Sequence, residues 1–551
     1  MKLLLTLLLF NLTLFAQSDI ELKDKIARML IVGFDAKQIN ENSQIVKDLQ
    51  KYPLGGVILF DINYNDRSKT KNIQSPQQLQ ALTSSIKHYA KAPLFIGVDQ
   101  EGGNVARLKP KYGFSAIPSA AEVGTKSLQE AQSIYEKQSS MLEGAGINMN
   151  FAPDVDLAIN PKNKIIVGLE RSFGKDAKRV SEYAKVVVES QKEHNIVSVL
   201  KHFPGHGSSL ADSHAGFVDV TQTWSQKELE PYVRLIKQNR ADAIMTAHVF
   251  NANIDAKYPA TLSYACNTLL LRKQLGFRGV IISDDMQMGA IAKHYNLKER
   301  LVLAINSGVD MLLFGNQLAS VSVKELVETI YAAVKSGEIP KKRIEESASR
   351  VENLLTKNSI VQKPILFTPK RIALTKEYIK THYELEPKTI EIDPKMVVLH
   401  WTAVMDFEKS FARLYQEELF SDRKDIANAS ALNVSAHFLV DRDGTIYQLM
   451  PENWMARHVI GLNYSSIGVE NVGGEGNAKE DLTPAQLEAN IRLVNYLKAN
   501  YPSIQKVIGH HEYQEFENSP LWLERDKNYR TKKADPGDAF MKKVRDSLDW
   551  L

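Results

Sequence analysis

The sequence predicts an α/β chain of two domains, the first built on a parallel sheet of eight strands. Three observations predict it. Eight short apolar runs, at 29–34, 56–60, 94–99, 149–153, 197–203, 243–249, 279–284 and 310–314, are separated by longer amphipathic stretches. Runs that are continuously apolar, not alternating, belong to strands covered on both faces, as in a parallel sheet under helices. Asp99, Lys201, His202, His248 and Asp284 fall at the C-terminal ends of these runs, the edge where α/β sheets assemble their sites. Finally, 551 residues exceed one ordinary domain,, and a fresh apolar run opens at Met396. Periodicity alone leaves a closed and an open sheet equally possible.

Taken in order, the chain opens with one lysine, an apolar run from Leu3 to Phe15, and Ala16. The run is too short to span a bilayer, so residues 1–16 read as a secretory signal peptide. Leu14 stands where a small residue is preferred for cleavage, which keeps an uncleaved anchor as the alternative. Residues 18–358 form the first domain, closed by a charged helical segment at 341–355. Residues 359–390 carry three prolines and many lysines and read as a linker with one short helix near 376–383. The second domain takes residues 391–551. The single cysteine, Cys266, excludes an intrachain disulfide and suits an exported protein,. A net charge of +4, without a long Lys/Arg run, gives no nucleic-acid footprint.

The densest chemistry lies in 201–214, where three histidines, a lysine and an aspartate surround two glycines and a proline. Asp212 and His214, two apart, can lie on one side of an extended loop. The carboxylate can then orient the imidazole and stabilise its charged form. No serine or cysteine nucleophile motif lies nearby, so the pair reads as a proton-transfer device awaiting a separate nucleophile.

Lys201 to Gly207, followed by Asp212-Ser213-His214, resembles the family-3 β-N-acetylglucosaminidases of peptidoglycan recycling. Further matches lie at Gly97–Gly103, Arg171-Ser172-Phe173-Gly174 and Ser283-Asp284-Asp285-Met286. The sequence departs at Ser208 and Ser209, where many relatives carry Asp-Thr. The resemblance covers roughly 20–355 and favours the closed (β/α)8 barrel. It implies a retaining glycosidase with Asp284, not Asp285, as nucleophile and His214, oriented by Asp212, as acid/base. Asp99, Arg107, Arg171, Lys201 and His202 would surround the GlcNAc ring, and no cofactor is implied. His206 would shape the turn.

In the second domain His400 and His510 end apolar runs and Asp535 lies in a Pro/Gly turn. Two histidines and one carboxylate with an open fourth position make a catalytic zinc set. These segments, with Ser435–Gln448 and Ser466–Glu470, resemble type-2 N-acetylmuramoyl-L-alanine amidases, whose mixed α/β fold is shared with peptidoglycan recognition proteins. Ala436 stands where relatives usually carry an aromatic residue. The resemblance implies one zinc ion on His400, His510 and Asp535, with His511 competing with His510. It also implies Glu470 as general base and Lys533 as oxyanion stabiliser. His437 would be structural or substrate-facing, and His458 would touch substrate.

The two resemblances together imply an exported, periplasmic, bifunctional hydrolase. It would remove β-linked GlcNAc and cut the MurNAc–L-Ala amide of GlcNAc-anhydroMurNAc-peptides or cell wall, with no obligate protein partner. Two other readings remain: a second domain that binds peptidoglycan without catalysis, and a phosphorylase in the first domain, since a histidine acid/base tolerates an anionic phosphate acceptor.

Overall fold

In the computed structural model, which describes residues 18–64, 66–210 and 216–551, all eight apolar runs form strands. They are β1 (Leu30–Gly33), β2 (Gly56–Ile58), β3 (Phe95–Val98), β4 (Met149–Asn150), β5 (Val197–Phe203), β6 (Ala243–Thr246), β7 (Val280–Ser283) and β8 (Leu312–Phe314). Each of β1 to β6 pairs in parallel with the next in sequence, and β1 pairs with β8. A parallel bridge between Ile282 and Met311 joins β7 to the start of β8 and nearly closes the barrel.

Alternation along each strand explains how one sheet serves two cores. Ile31, Val199, Met245 and Ile282 pack inside the barrel, while Leu30, Val32, Leu200 and Ile244 pack under the surrounding helices. Helix Lys341–Ser359 adds Val351, Leu354 and Leu355 to the inner set. Helix starts follow local capping chemistry. Ser127 with Glu130, and Asn296 with Glu299, form reciprocal capping boxes,.

The chain divides at Asn358/Ser359 into two units. The second holds a six-stranded mixed sheet of β9 (Val361–Gln362), β10 (Met396–Trp401), β11 (Phe438–Val440), β12 (Ile446–Gln448), β13 (Ser466–Asn471) and β14 (Lys506–Gly509). Their order is β9-β12-β11-β13-β10-β14, and only the β11–β12 pair is antiparallel. Val397 and Leu399 face helices Pro484–Asn500 and Asp538–Asp546. Met396 and Val398 face the other way, toward Tyr378, Ile379 and Tyr383.

Those three residues belong to helix Pro369–Tyr383, which corrects the expectation of a linker at 359–390. The stretch supplies an edge strand and a covering helix to the second unit. A sheet with one bare apolar face would be unstable, and this helix buries it. The signal-peptide residues 1–16 lie outside the described residues. Among the described residues no helix is long and apolar enough to cross a membrane.

Candidate active sites

At the C-terminal rim of the barrel, strand ends β3, β4 and β5 bring eight ionisable side chains together. Asp99 directly follows β3, and Lys201 and His202 sit within β5. Lys201 Nζ donates to Asp99 (3.0 Å) and reaches Glu101 at 2.7 Å. Arg107 donates to the other oxygen of Asp99 at 3.1 Å. Arg171 grips Glu101 with Nε and Nη2 at 2.8 and 2.7 Å, a two-pronged contact,. It also lies 3.3 Å from Asp154. The structure therefore brings together Asp99, Arg107, Arg171, Lys201 and His202. It adds three carboxylates that the sequence reading did not select: Glu101, Asp154 and Asp156.

Charges of both signs meet within this buried group. Burial raises the Glu101 carboxyl, but Arg171 and Lys201 outweigh it and hold Glu101 near 2. Asp99 is likewise held low, burial being overcome by Lys201 and Arg107. Asp154 goes the other way, pushed well above the carboxylate range by burial and by the charge of Asp156. The carboxylates of Asp99 and Glu101 thus face the cations of Arg107, Arg171 and Lys201. Asp154, Asp156 and His202 also have the donor types of a metal site, but the Arg171 guanidinium already supplies the positive charge there.

Asp284 follows β7, and its backbone N–H donates to Thr246 O of the neighbouring strand at 3.1 Å. Its Oδ1 accepts the backbone N–H of Asp285 at 2.7 Å. Asp285 points elsewhere: its Oδ1 accepts the Gln287 N–H at 3.0 Å, and its carbonyl lies 2.9 Å from His248 Nε2. Asp212 and His214 lie outside the described residues. The turn that precedes them is closely packed. A Cβ on Gly207 would stand 1.9 Å from Leu157 O, so only glycine fits,. His206 Nδ1 meets Ser209 Oγ at 2.7 Å, in keeping with a turn-shaping role.

Beneath that turn lies Glu228, buried and within 3.3 Å of the Ser208 N–H. Burial pushes its carboxyl up to about 7, with Ser208 opposing and Asp156 adding. Because the folded value is raised, the stability it reflects is complete below the unfolded value of 4.5 and is lost as pH rises through 7,. Ionisation then costs up to roughly 3 kcal/mol. Glu228→Gln, which keeps an acceptor but cannot ionise, should lose less stability than wild type between pH 5 and pH 8 in urea denaturation. Identical pH dependence in the two proteins would refute this.

The second site lies at the ends of β10, β13 and β14. Met396, Val398 and His400 share one face of β10, and His400 pairs in register with Glu470 on β13. His510 follows β14 directly. His400 Nδ1 and His510 Nδ1 are 2.9 Å apart, and Asp535 Oδ2 lies 3.3 and 3.0 Å from them. All three residues are buried. Ligand atoms around a tetrahedral zinc at 2.0–2.1 Å lie about 3.3 Å apart, so the group fits such an ion. His511 turns away, with Nδ1 2.9 Å from the Asp535 carbonyl and Nε2 2.9 Å from Asp538.

A hydrogen-bonded chain fixes which nitrogen His400 presents. The Ser466 hydroxyl donates to Leu462 O at 2.7 Å, so its oxygen accepts from His458 Nε2 at 3.2 Å. His458 Nδ1 then accepts from His400 Nε2 at 3.0 Å. The lone pair of His400 is left on Nδ1, facing His510 and Asp535, as outer partners of metal-binding histidines require. His458 thus supports a ligand, a role the sequence reading did not give it. Gly468 makes room: a Cβ there would lie 2.6 Å from the His458 ring. His437 is occupied structurally, bonded to Trp454 O and the Gly468 N–H.

A cavity of about 520 Å³ opens beside the three, lined among others by Trp401, Arg413, Arg423, Arg457, Glu470 and Lys533. Glu470 Oε2 is buried without a hydrogen-bond partner. Burial and the Asp535 charge push its carboxyl well up, while Lys533 and Arg423 oppose them. Burial also raises Asp535, but His510 and His400 more than reverse this and leave it well below the usual range.

Comparison with known proteins matches the two domains to two families. Residues 21–354 match the profile of the glycosyl hydrolase family 3 N-terminal domain, and residues 391–538 that of N-acetylmuramoyl-L-alanine amidase. The chain is 36% identical over 281 residues to a β-hexosaminidase of Tolumonas auensis, covering 50% of this chain and 79% of that one. It is 30% identical over 335 residues to β-hexosaminidase A of Pseudoalteromonas piscicida, covering 56% of this chain and just over half, 54%, of the relative. The structure of a family-3 β-N-acetylglucosaminidase from Paenibacillus sp. FPU-7 superposes with a TM-score of 0.56 at 25% identity, covering 91% of this chain and 92% of that one. The chain belongs to glycosyl hydrolase family 3, a β-hexosaminidase domain of that family carrying an N-acetylmuramoyl-L-alanine amidase domain behind it.

Proposed function

We propose that the protein is a bifunctional hydrolase of peptidoglycan fragments, removing β-linked GlcNAc at the barrel and cutting the MurNAc–L-Ala amide at the second site. The observation that carries the second activity is the buried His400–His510–Asp535 group with Glu470 beside it in an open cleft. A module that only bound peptidoglycan would gain nothing from three mutually repelling or competing donors held at 2.9–3.3 Å.

At the barrel, Asp99, Arg107, Arg171, Lys201 and His202 hold the GlcNAc ring at the end of the strands. Asp284 attacks the anomeric carbon and His214, oriented by Asp212, protonates the departing oxygen. In the second half-reaction His214 removes a proton from water, which displaces Asp284 and retains configuration. In the amidase domain His400, His510 and Asp535 would hold one zinc ion, supplying a Lewis acid that polarises the amide carbonyl and acidifies water to a pKa of about 7. Glu470, buried beside the three ligands without a hydrogen-bond partner on Oε2, takes the proton of the attacking water,. Lys533 faces the oxygen on which negative charge develops. The apolar N-terminal run supports export to the periplasm. Joining the two sites in one chain raises the effective concentration of each product near the other site.

The test is mass spectrometry of products from GlcNAc–anhydroMurNAc-peptide incubated with the zinc-loaded full chain. Free GlcNAc and free peptide are both expected. Release of GlcNAc without peptide would make the second domain a binding module, and appearance of GlcNAc-1-phosphate in phosphate buffer would make the first a phosphorylase.

A further inference from the structure

Asp156 is a buried carboxylate to which the reaction above gives no role. It follows β4 by six residues and meets two parts of the site. Its Oδ2 lies 2.8 Å from His202 Nδ1, and its Oδ1 accepts the His206 backbone N–H at 2.7 Å. On the opposite edge of the same imidazole, His202 Nε2 lies 3.1 Å from Arg171 Nη2.

A guanidinium only donates. His202 Nε2 must therefore accept from Arg171, so the ring proton sits on Nδ1 and is donated to Asp156. The Nε–H and the other Nη2–H of Arg171 go to Glu101 on one side. His202 thus supplies the acceptor that holds the other edge of the fork. Asp156 is competent for this, since burial raises its carboxyl but His202 and His206 together more than reverse this and keep it low, while Asp154 beside it is raised.

We propose that Asp156 is a positioning residue for GlcNAc recognition: it fixes the His202 tautomer, and through it the orientation of the Arg171 guanidinium. The inference rests on the assignment of Arg171 to the sugar site. It also revises how His202 acts there, as a brace on Arg171 through Nε2.

Asp156→Asn tests this role, at the cost of the longer contact of 3.3 Å that Oδ2 accepts from the His202 backbone N–H. The side-chain oxygen of the variant still accepts the His206 N–H, so the turn keeps its anchor. Its amide now donates to His202 Nδ1, which moves the ring proton to Nε2, where it opposes the Arg171 N–H. Two donors then face each other in a buried site, and Arg171 is displaced.

The experiment combines nitrogen NMR of histidine-labelled full chain with steady-state kinetics on a chromogenic β-GlcNAc substrate. His202→Ala identifies the His202 signals. Wild type should carry the proton on Nδ1 and Asp156→Asn on Nε2. KM should rise about 10- to 100-fold with a smaller change in kcat. In a His202→Ala background the same substitution should add little, because its effect passes through the imidazole. A wild-type proton on Nε2, which needs no variant to observe, would overturn the proposal. So would an unchanged KM in Asp156→Asn, or an equal loss in both backgrounds. Unchanged KM in Arg171→Ala would instead overturn the sugar-site assignment, and this inference with it.

Discussion

Asp284→Ala should abolish release of GlcNAc while leaving release of peptide intact. The expected fall in kcat is roughly 10⁴-fold or more, the scale on which enzymes lose activity when a covalent nucleophile is removed. Asp284 is half-buried at the end of β7, and the strand is held by backbone bonds that the substitution retains, including Asp284 N–H to Thr246 O. The variant should therefore melt close to wild type, which separates chemistry from folding. Added azide should restore turnover by entering the space of the missing carboxylate and giving the glycosyl azide of inverted configuration. Asp285→Ala is the control. Its carboxylate accepts the Gln287 N–H, so its loss should act on the local turn, without azide rescue. Azide rescue of the Asp285 variant and not of the Asp284 variant would exchange their roles.

His400→Ala should do the reverse, eliminating peptide release and sparing GlcNAc. Zinc measured by elemental analysis should drop from one per chain to a small fraction. Loss of a direct ligand should exceed the roughly 10–100-fold weakening typical of outer partners. His458→Ala should fall within that smaller range, because it removes only the partner that fixes the His400 tautomer. Dialysis of wild type against a chelator should copy the His400 phenotype. Zinc content of one per chain in His400→Ala would show that the ion binds elsewhere.

What the sequence disclosed follows from how each element is stabilised. The barrel strands are short, apolar on both faces and bounded by polar residues, so their pattern is local and was legible in order. Helix Pro369–Tyr383 was legible only in its second half, expected near 376–383. Its inward face includes Arg371, Thr375 and His382, whose polar ends are satisfied only in three dimensions. Arg371 donates to the carbonyls of Tyr415 and Gln416, and His382 is bonded to Glu524 and Ala429 O. Such a face does not read as an apolar stripe.

The sites divide in the same way. Residues at strand ends, such as Asp99, Lys201 and His400, carried a positional signal. Glu101, Asp154, Asp156 and His458 act through neighbours distant in sequence, and only their contacts reveal them. The spacing of Asp154 and Asp156, two residues apart past the run at 149–153, was the one available hint. Alternate residues in extended chain share a side, and here that side is the buried ionisable group at the barrel rim.

The in-register pairing of His400 with Glu470 across β10 and β13 has a consequence for how this amidase domain can change. A deletion or insertion of one residue within either strand turns every following side chain to the opposite face. His400 or Glu470 would then point into the helices beneath the sheet, and the ligand would lose its base. Length variants in these two strands should be intolerant, while the largely exposed turn at 421–425 of the cavity walls lies outside the sheet and is better placed to lengthen or shorten. Libraries that vary loop length at those walls, with both strands held at fixed length, are the route to new stem-peptide selectivity.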